Sequence, residues 1–123
     1  MIYGVGTDVV YMPRIEKLLQ KYGDQFASRI LSPSEIEIYQ AKSCEAFLAR
    51  RFAGKEAFFK ALGVGIGKPL RFNDITIKNN ELGRPEVSLR HRGNSAELMM
   101  GKNVNISLSD DKPVVVAFVV ISS

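Results

Sequence analysis

Ala49-Arg50-Arg51-Phe52-Ala53-Gly54-Lys55-Glu56-Ala57-Phe58-Phe59-Lys60-Ala61-Leu62-Gly63 reads as the body and end of one long helix. At about 100° per residue, Leu48, Phe52, Phe59 and Leu62 fall within roughly 40° of one direction, a core-facing stripe. The pattern predicts a helix from Cys44 to Leu62, stopped by Gly63. Lys55 lies inside that stripe, Glu56 flanks it, and Lys60 follows one turn on. Charged groups encroaching on an apolar stripe are costly unless they find partners. Spacing alone also admits a plainer arrangement, in which Arg51–Lys55 and Glu56–Lys60 are i,i+4 neighbours on a solvated face and Lys55 snorkels outwards.

The flanking segments set the fold class. Ile2 to Val10 predicts a strand with Tyr3, Val5, Thr7 and Val9 on one face and Gly4, Gly6 and Asp8 on the other. The two glycines beside a carboxylate predict an open patch for a ligand to approach the backbone. Pro13 opens a helix to about Tyr22, with Ile15, Leu18 and Leu19 apolar and Arg14, Lys17 and Lys21 outside. Ser32, Pro33 and Glu35 have the composition of a capping box, opening a helix to near Gln40. Phe72–Lys78 and Glu86–Leu89 predict strands around a turn, and Asn94–Met100 a short helix. Val104, Ile106 and Leu108 alternate with polar residues, giving a half-buried strand. Val114 to Ile121, apolar on both faces, predicts a central one. Strands and helices in this order fit α+β better than repeated βαβ units: a single compact domain, residues 1–123, with a mostly antiparallel sheet against the long helix.

Composition narrows the class. The chain has 123 residues, 46% hydrophobic and 24% charged, which is globular composition and argues against disorder. A domain this small makes a shallow cleft unless subunits assemble. One cysteine, Cys44, supplies neither an internal disulfide nor a zinc cluster, which fits a reducing cytoplasmic setting. No secretory leader is read at the N-terminus, and the longest apolar run, Val114 to Ile121, is far shorter than the ~20 residues of a membrane helix. The net charge of +4 suggests an acidic partner. No zinc-finger spacing, aromatic RNA-binding motif or arginine tract accompanies it, so nucleic acid is not favoured.

The chemistry-bearing residues are few. Asp8 caps a neighbouring element or, with Glu56, forms the minimal carboxylate pair for Mg²⁺, which completes its shell with water and phosphate oxygens. The glycine clusters fail the dinucleotide pattern: the first lacks a third glycine before a helix, and Gly63–Gly67 follows a helix instead of opening one. Lys68-Pro69 and Arg84-Pro85 set cations beside turns. His91, the only histidine, sits in a polar stretch and gives no support to a triad.

The stretches Ile2–Val10 with Arg14-Ile15, and Arg51–Gly63, resemble the holo-[acyl-carrier-protein] synthases, a family of phosphopantetheinyl transferases. Arg29-Ile30-Leu31-Ser32, Gly65-Ile66-Gly67 and Leu82-Gly83-Arg84-Pro85 extend the likeness over the whole chain. The resemblance implies a Mg²⁺-dependent enzyme moving 4'-phosphopantetheine from coenzyme A to a serine of apo acyl carrier protein, in support of fatty acid biosynthesis. It implies Asp8 and Glu56 as metal ligands, Lys60 at the reacting phosphate, and Arg51, Lys55 and the Gly83-Arg84-Pro85 turn at coenzyme A. Glu37 is the expected base for the serine proton, acting directly or through water. Arg14, Lys17, Lys21 and Arg29, with Phe26 as an apolar anchor, form the expected docking face for the acidic carrier. The family also implies a homotrimer with its site between subunits, and no membrane partner. Many members carry histidine after the Ser-x-Ser step, whereas this chain reads Ser107-Leu108-Ser109-Asp110, and Asp110 is given no phosphate contact. The competing class is a small basic nucleotide- or RNA-binding module without catalysis.

Overall fold

The computed structural model describes residues 1–42, 44–64, 70–90 and 95–123. Its elements run β1 (Ile2–Tyr11), α1 (Met12–Tyr22), α2 (Asp24–Ile30), α3 (Pro33–Lys42), α4 (Glu45–Leu62), a 3-10 turn (Phe72–Asp74), β2 (Ile75–Asn79), β3 (Pro85–Leu89), α5 (Ser95–Leu98), β4 (Asn103–Asp111) and β5 (Val114–Ser122). β1, β5 and β4 form an antiparallel sheet with β5 in the centre, and β2–β3 is a separate antiparallel hairpin. This is the expected α+β arrangement.

The long helix is buried on almost every side. Leu48, Phe52, Phe59 and Leu62 lie in the core as their spacing predicts, but Ala49, Arg51, Ala53, Lys55, Ala57 and Phe58 are buried with them. The sheet covers one side of α4, while α1, α2 and β2 cover others. A helix enclosed this way needs no polar face. Phe72 joins it, packing on Phe52 and Phe59 with ring centroids 5.6 and 5.5 Å apart. Gly63 ends the helix in the left-handed region, φ 79°, its N–H donating to the Phe59 carbonyl.

Three local expectations change. Helix α2 was not predicted; Gly23, at φ 59°, separates it from α1, and seven residues are too few for a periodic signal. The segment at Phe72 opens as a 3-10 turn, because Asp74 accepts the Arg71 N–H and curls the chain before β2. The glycine patch on β1 is filled by protein. A Cβ at Gly4 would overlap the Ala61 carbonyl oxygen, and one at Gly6 that of Ala57. These glycines admit the backbone of α4, not a ligand. The short α5 is seen from Ser95. His91, Arg92, Gly65-Ile66-Gly67 and Lys68-Pro69 lie outside the described residues. Among the described residues no helix is long and apolar enough to cross a membrane.

Candidate active site

The close approach of β1 to α4 aligns the chain's acids. Gly4 faces Ala61 and Gly6 faces Ala57, so two residues along the strand match about one helical turn. Asp8 is the next residue on the same strand face, within reach of the charged side chains of α4. Lys60 Nζ donates to the Thr7 carbonyl at 3.0 Å and to Asp8 Oδ1 at 3.3 Å. The Glu56 carboxyl is pushed above its ordinary range by burial, then by the neighbouring Asp8 charge, while Lys60 and Arg14 oppose the rise.

Two half-shielded acids that repel each other, with basic groups at their rim, suit a cation between them. Among the described residues no group of three His, Cys, Asp or Glu side chains gathers. A hard ion that keeps water and phosphate in its shell needs only one or two carboxylates. Asp8 and Glu56 could hold such an ion, and Lys60 stands beside them with its side chain 55% exposed.

Other expected site residues lie around this cluster. Arg14 reaches it electrostatically from the first turns of α1. Arg14 and Lys17 line a shallow cleft with Tyr11 and Leu18, and Phe26 and Arg29 line another with Tyr22 and Gln25. Lys21 stacks on Tyr22, its ammonium 5.3 Å from the ring centre. The Gly83-Arg84-Pro85 turn projects between β2 and β3: Asn80 Oδ1 accepts from the Leu82 and Arg84 N–H groups, and Gly83 takes φ 82°. Arg84 and Pro85 border a cleft with Asn80, Glu86 and Asn105. Arg51 borders a different cleft, with Lys42, Arg50, Lys78 and Phe47, on the α3 side of α4. Glu37 is exposed on α3 and forms no ion pair or hydrogen bond among the described residues.

Lys55 is a correction. It neither snorkels nor faces a cleft: it is fully buried, donating to Glu35 Oε1 at 2.5 Å and to the Ile30 carbonyl at 2.6 Å. Desolvation lowers its pKa to about 8 against the pull of Glu35. Its ammonium is enclosed in the protein and spends two of its three N–H groups on Glu35 and Ile30, away from any cleft. The sequence offers Glu35 only as a capping residue, and it is one: it accepts the Ser32 N–H at 2.8 Å. The misplaced charge in the α4 stripe was the signal that an internal acid had to meet it. Asp110 is likewise engaged, pairing with Arg50 at 2.9 Å.

Residues 4–119 match the model of the 4'-phosphopantetheinyl transferase superfamily. The chain belongs to this superfamily. It is 46% identical to the holo-[acyl-carrier-protein] synthase of Orientia tsutsugamushi (strain Ikeda), in an alignment spanning all of this chain and 98% of that one. The crystal structure of holo-[acyl-carrier-protein] synthase from Neisseria meningitidis superposes with TM-score 0.91 at 40% identity, covering both chains fully. The Helicobacter pylori enzyme in complex with coenzyme A superposes with TM-score 0.81 at 39% identity, over 96% of this chain and 99% of that one. The superfamily likeness thus includes both the strand carrying Asp8 and the helix carrying Glu56 and Lys60.

Proposed function

We propose that this transferase moves 4'-phosphopantetheine from coenzyme A to a serine of apo acyl carrier protein, releasing adenosine 3',5'-bisphosphate. The observation that carries the reading is the convergence of Asp8, Glu56 and Lys60 where β1 meets α4. The serine Oγ attacks the phosphorus that bears pantetheine, the P–O bond to the bisphosphate breaks, and the serine proton passes to the Glu37 carboxylate. Such a transfer asks mainly for positioning and charge neutralisation, not for a covalent nucleophile. Mg²⁺, when held by Asp8 and Glu56, compensates the negative charge of the diphosphate. Lys60 exchanges its contact with Asp8 for the phosphate oxygens and stabilises charge developing there. Arg51 and the Gly83-Arg84-Pro85 turn bind coenzyme A.

The carrier protein docks on α1 and α2. Arg14, Lys17, Lys21 and Arg29 steer an anionic surface, and Phe26 gives it an apolar anchor. The working form is a homotrimer with its sites between subunits. Supporting this, Val9 on β1 pairs in register with Val116 on β5, Thr7 pairs with Phe118, and Val5, Val9, Val116 and Phe118 are all exposed. A contiguous apolar sheet face is an association surface. The enzyme acts in the cytoplasm, serving fatty acid biosynthesis.

The deciding experiment incubates the protein with apo acyl carrier protein, coenzyme A and Mg²⁺ and weighs the carrier. A mass increase equal to one phosphopantetheine is expected. No gain with any divalent metal overturns the reading, and RNA binding that survives Asp8→Ala and Glu56→Ala would favour the non-catalytic module instead.

A further inference from the structure

Glu35 is fully buried, and it holds more of the molecule together than a cap requires. Its two carboxylate oxygens face different groups. Oε1 accepts from the Ser32 N–H at 2.8 Å and from Lys55 Nζ at 2.5 Å. Oε2 accepts the Ile77 N–H of β2 at 2.8 Å and faces Arg51 Nε at 3.7 Å. Lys55 also has the Ile30 carbonyl. Arg51 has no comparable anchor: its Nε is buried without a hydrogen-bond partner, and its guanidinium lies 4.5 Å from the centre of the Phe47 ring.

The surroundings make that arrangement demanding. Arg51 is only 5% exposed, and the cleft it borders also carries Lys42, Arg50 and Lys78. Arg50 is answered by Asp110. For Arg51 the attractive charge is Glu35, against both desolvation and Arg50. A guanidinium over an aromatic face, with a carboxylate near its Nε, is oriented by both and can turn its outer donors to an anion.

We propose that Glu35 is the positioning residue for Arg51, holding the guanidinium over Phe47 as a prepared phosphate-binding fork. The inference rests on the coenzyme A reading above and deepens it: α3 supplies no ligand through Glu35 but orients the one on α4. Glu35 thereby has separate duties, with Oε1 neutralising Lys55 for the fold and Oε2 orienting Arg51 for the substrate.

Three variants separate these duties: Glu35→Gln, Lys55→Met and the double substitution. Coenzyme A binding is measured by calorimetry, turnover by carrier mass and stability by urea unfolding. Lys55→Met is expected to lower stability while keeping coenzyme A affinity within about threefold, because Glu35 still faces Arg51. Glu35→Gln is expected to weaken coenzyme A about tenfold, with kcat at saturation within about threefold, the mark of lost binding before the transition state. The double variant recovers stability by removing both charges, yet stays about tenfold weak for coenzyme A. If the double variant regains affinity along with stability, or Lys55→Met loses as much affinity as Glu35→Gln, the positioning role is wrong.

Where Glu35→Gln does not fold, the double variant against Lys55→Met carries the comparison. In the native chain the Arg51 Nε proton is expected to exchange with solvent far more slowly than those of exposed arginines. Exchange at the exposed rate overturns the proposal whatever the variants do. Failure of carrier modification by the native protein refutes the enzymatic reading alone, since the exchange measurement needs no turnover.

Discussion

Gly6 lies directly against the Ala57 carbonyl, closer than any side chain would allow. That contact, repeated at Gly4 and Ala61, sets the depth to which α4 settles on β1 and so the meeting of Asp8 with Glu56. A Gly6→Ala variant must push the helix away from the strand. Overpacking of this kind costs about 1–3 kcal/mol, and here it also separates the two acids. Reduced stability in urea, with metal affinity falling more than in a control core variant of equal stability, is the expected result.

Asp8→Ala and Glu56→Ala should each leave the fold intact and lower metal-dependent turnover by ~10²-fold or more, since each removes one of a minimal pair of carboxylates. Calorimetric titration with Mg²⁺ or Mn²⁺ checks the cause. Native affinity in either variant would remove that residue from the metal site.

Lys60→Ala tests a different role. Its contact with Asp8 is solvent-exposed and contributes little to stability. A transition-state role predicts kcat lower by ~10²-fold with a smaller change in the KM for coenzyme A. A change confined to KM would reassign Lys60 to substrate binding.

Glu56 makes stability depend on pH. Burial and Asp8 raise its folded pKa above the ordinary carboxylate value of 4.5. A raised acid pKa means the native state holds the proton more tightly, so this group's contribution is favourable at low pH. That contribution is lost as pH rises from the unfolded value through the folded one. Metal-free Glu56→Gln should therefore melt higher than the native chain at neutral pH. The difference should shrink to nothing below the unfolded carboxylate pKa, as calorimetric scans across pH will show.

Phe118→Asp places a charge in the middle of the exposed face shared by β1 and β5. If that face joins the subunits of the proposed trimer, light scattering will report a smaller mass than for the native chain, and turnover will fall with it. An unchanged mass in solution would move the interface elsewhere.

Much of this was legible in the residues. The long helix, its glycine stop, the capping box at Ser32 and Glu35, the central β5 and the α+β class follow from periodicity and turn chemistry, which are local in sequence. Motif likeness singles out Asp8, Glu56 and Lys60, and the structure brings the three near one another. The seven residues of α2 were not, being too short for a period, nor was the 3-10 turn at Phe72, which Asp74 creates by a side-chain bond.

The reading of Lys55 shows the boundary most clearly. Its place within an apolar stripe could be counted from the sequence, and so could the need for a partner. That the partner is Glu35, twenty residues earlier on another helix, depends on how α3 packs against α4. The same holds for Gly4 and Gly6, whose missing side chains announce a close approach without naming what approaches. Local patterns specify helices, strands and their apolar sides, because those depend on near neighbours along the chain. Which buried charges meet, and which backbone fills a glycine face, is decided only when distant segments are brought together by packing.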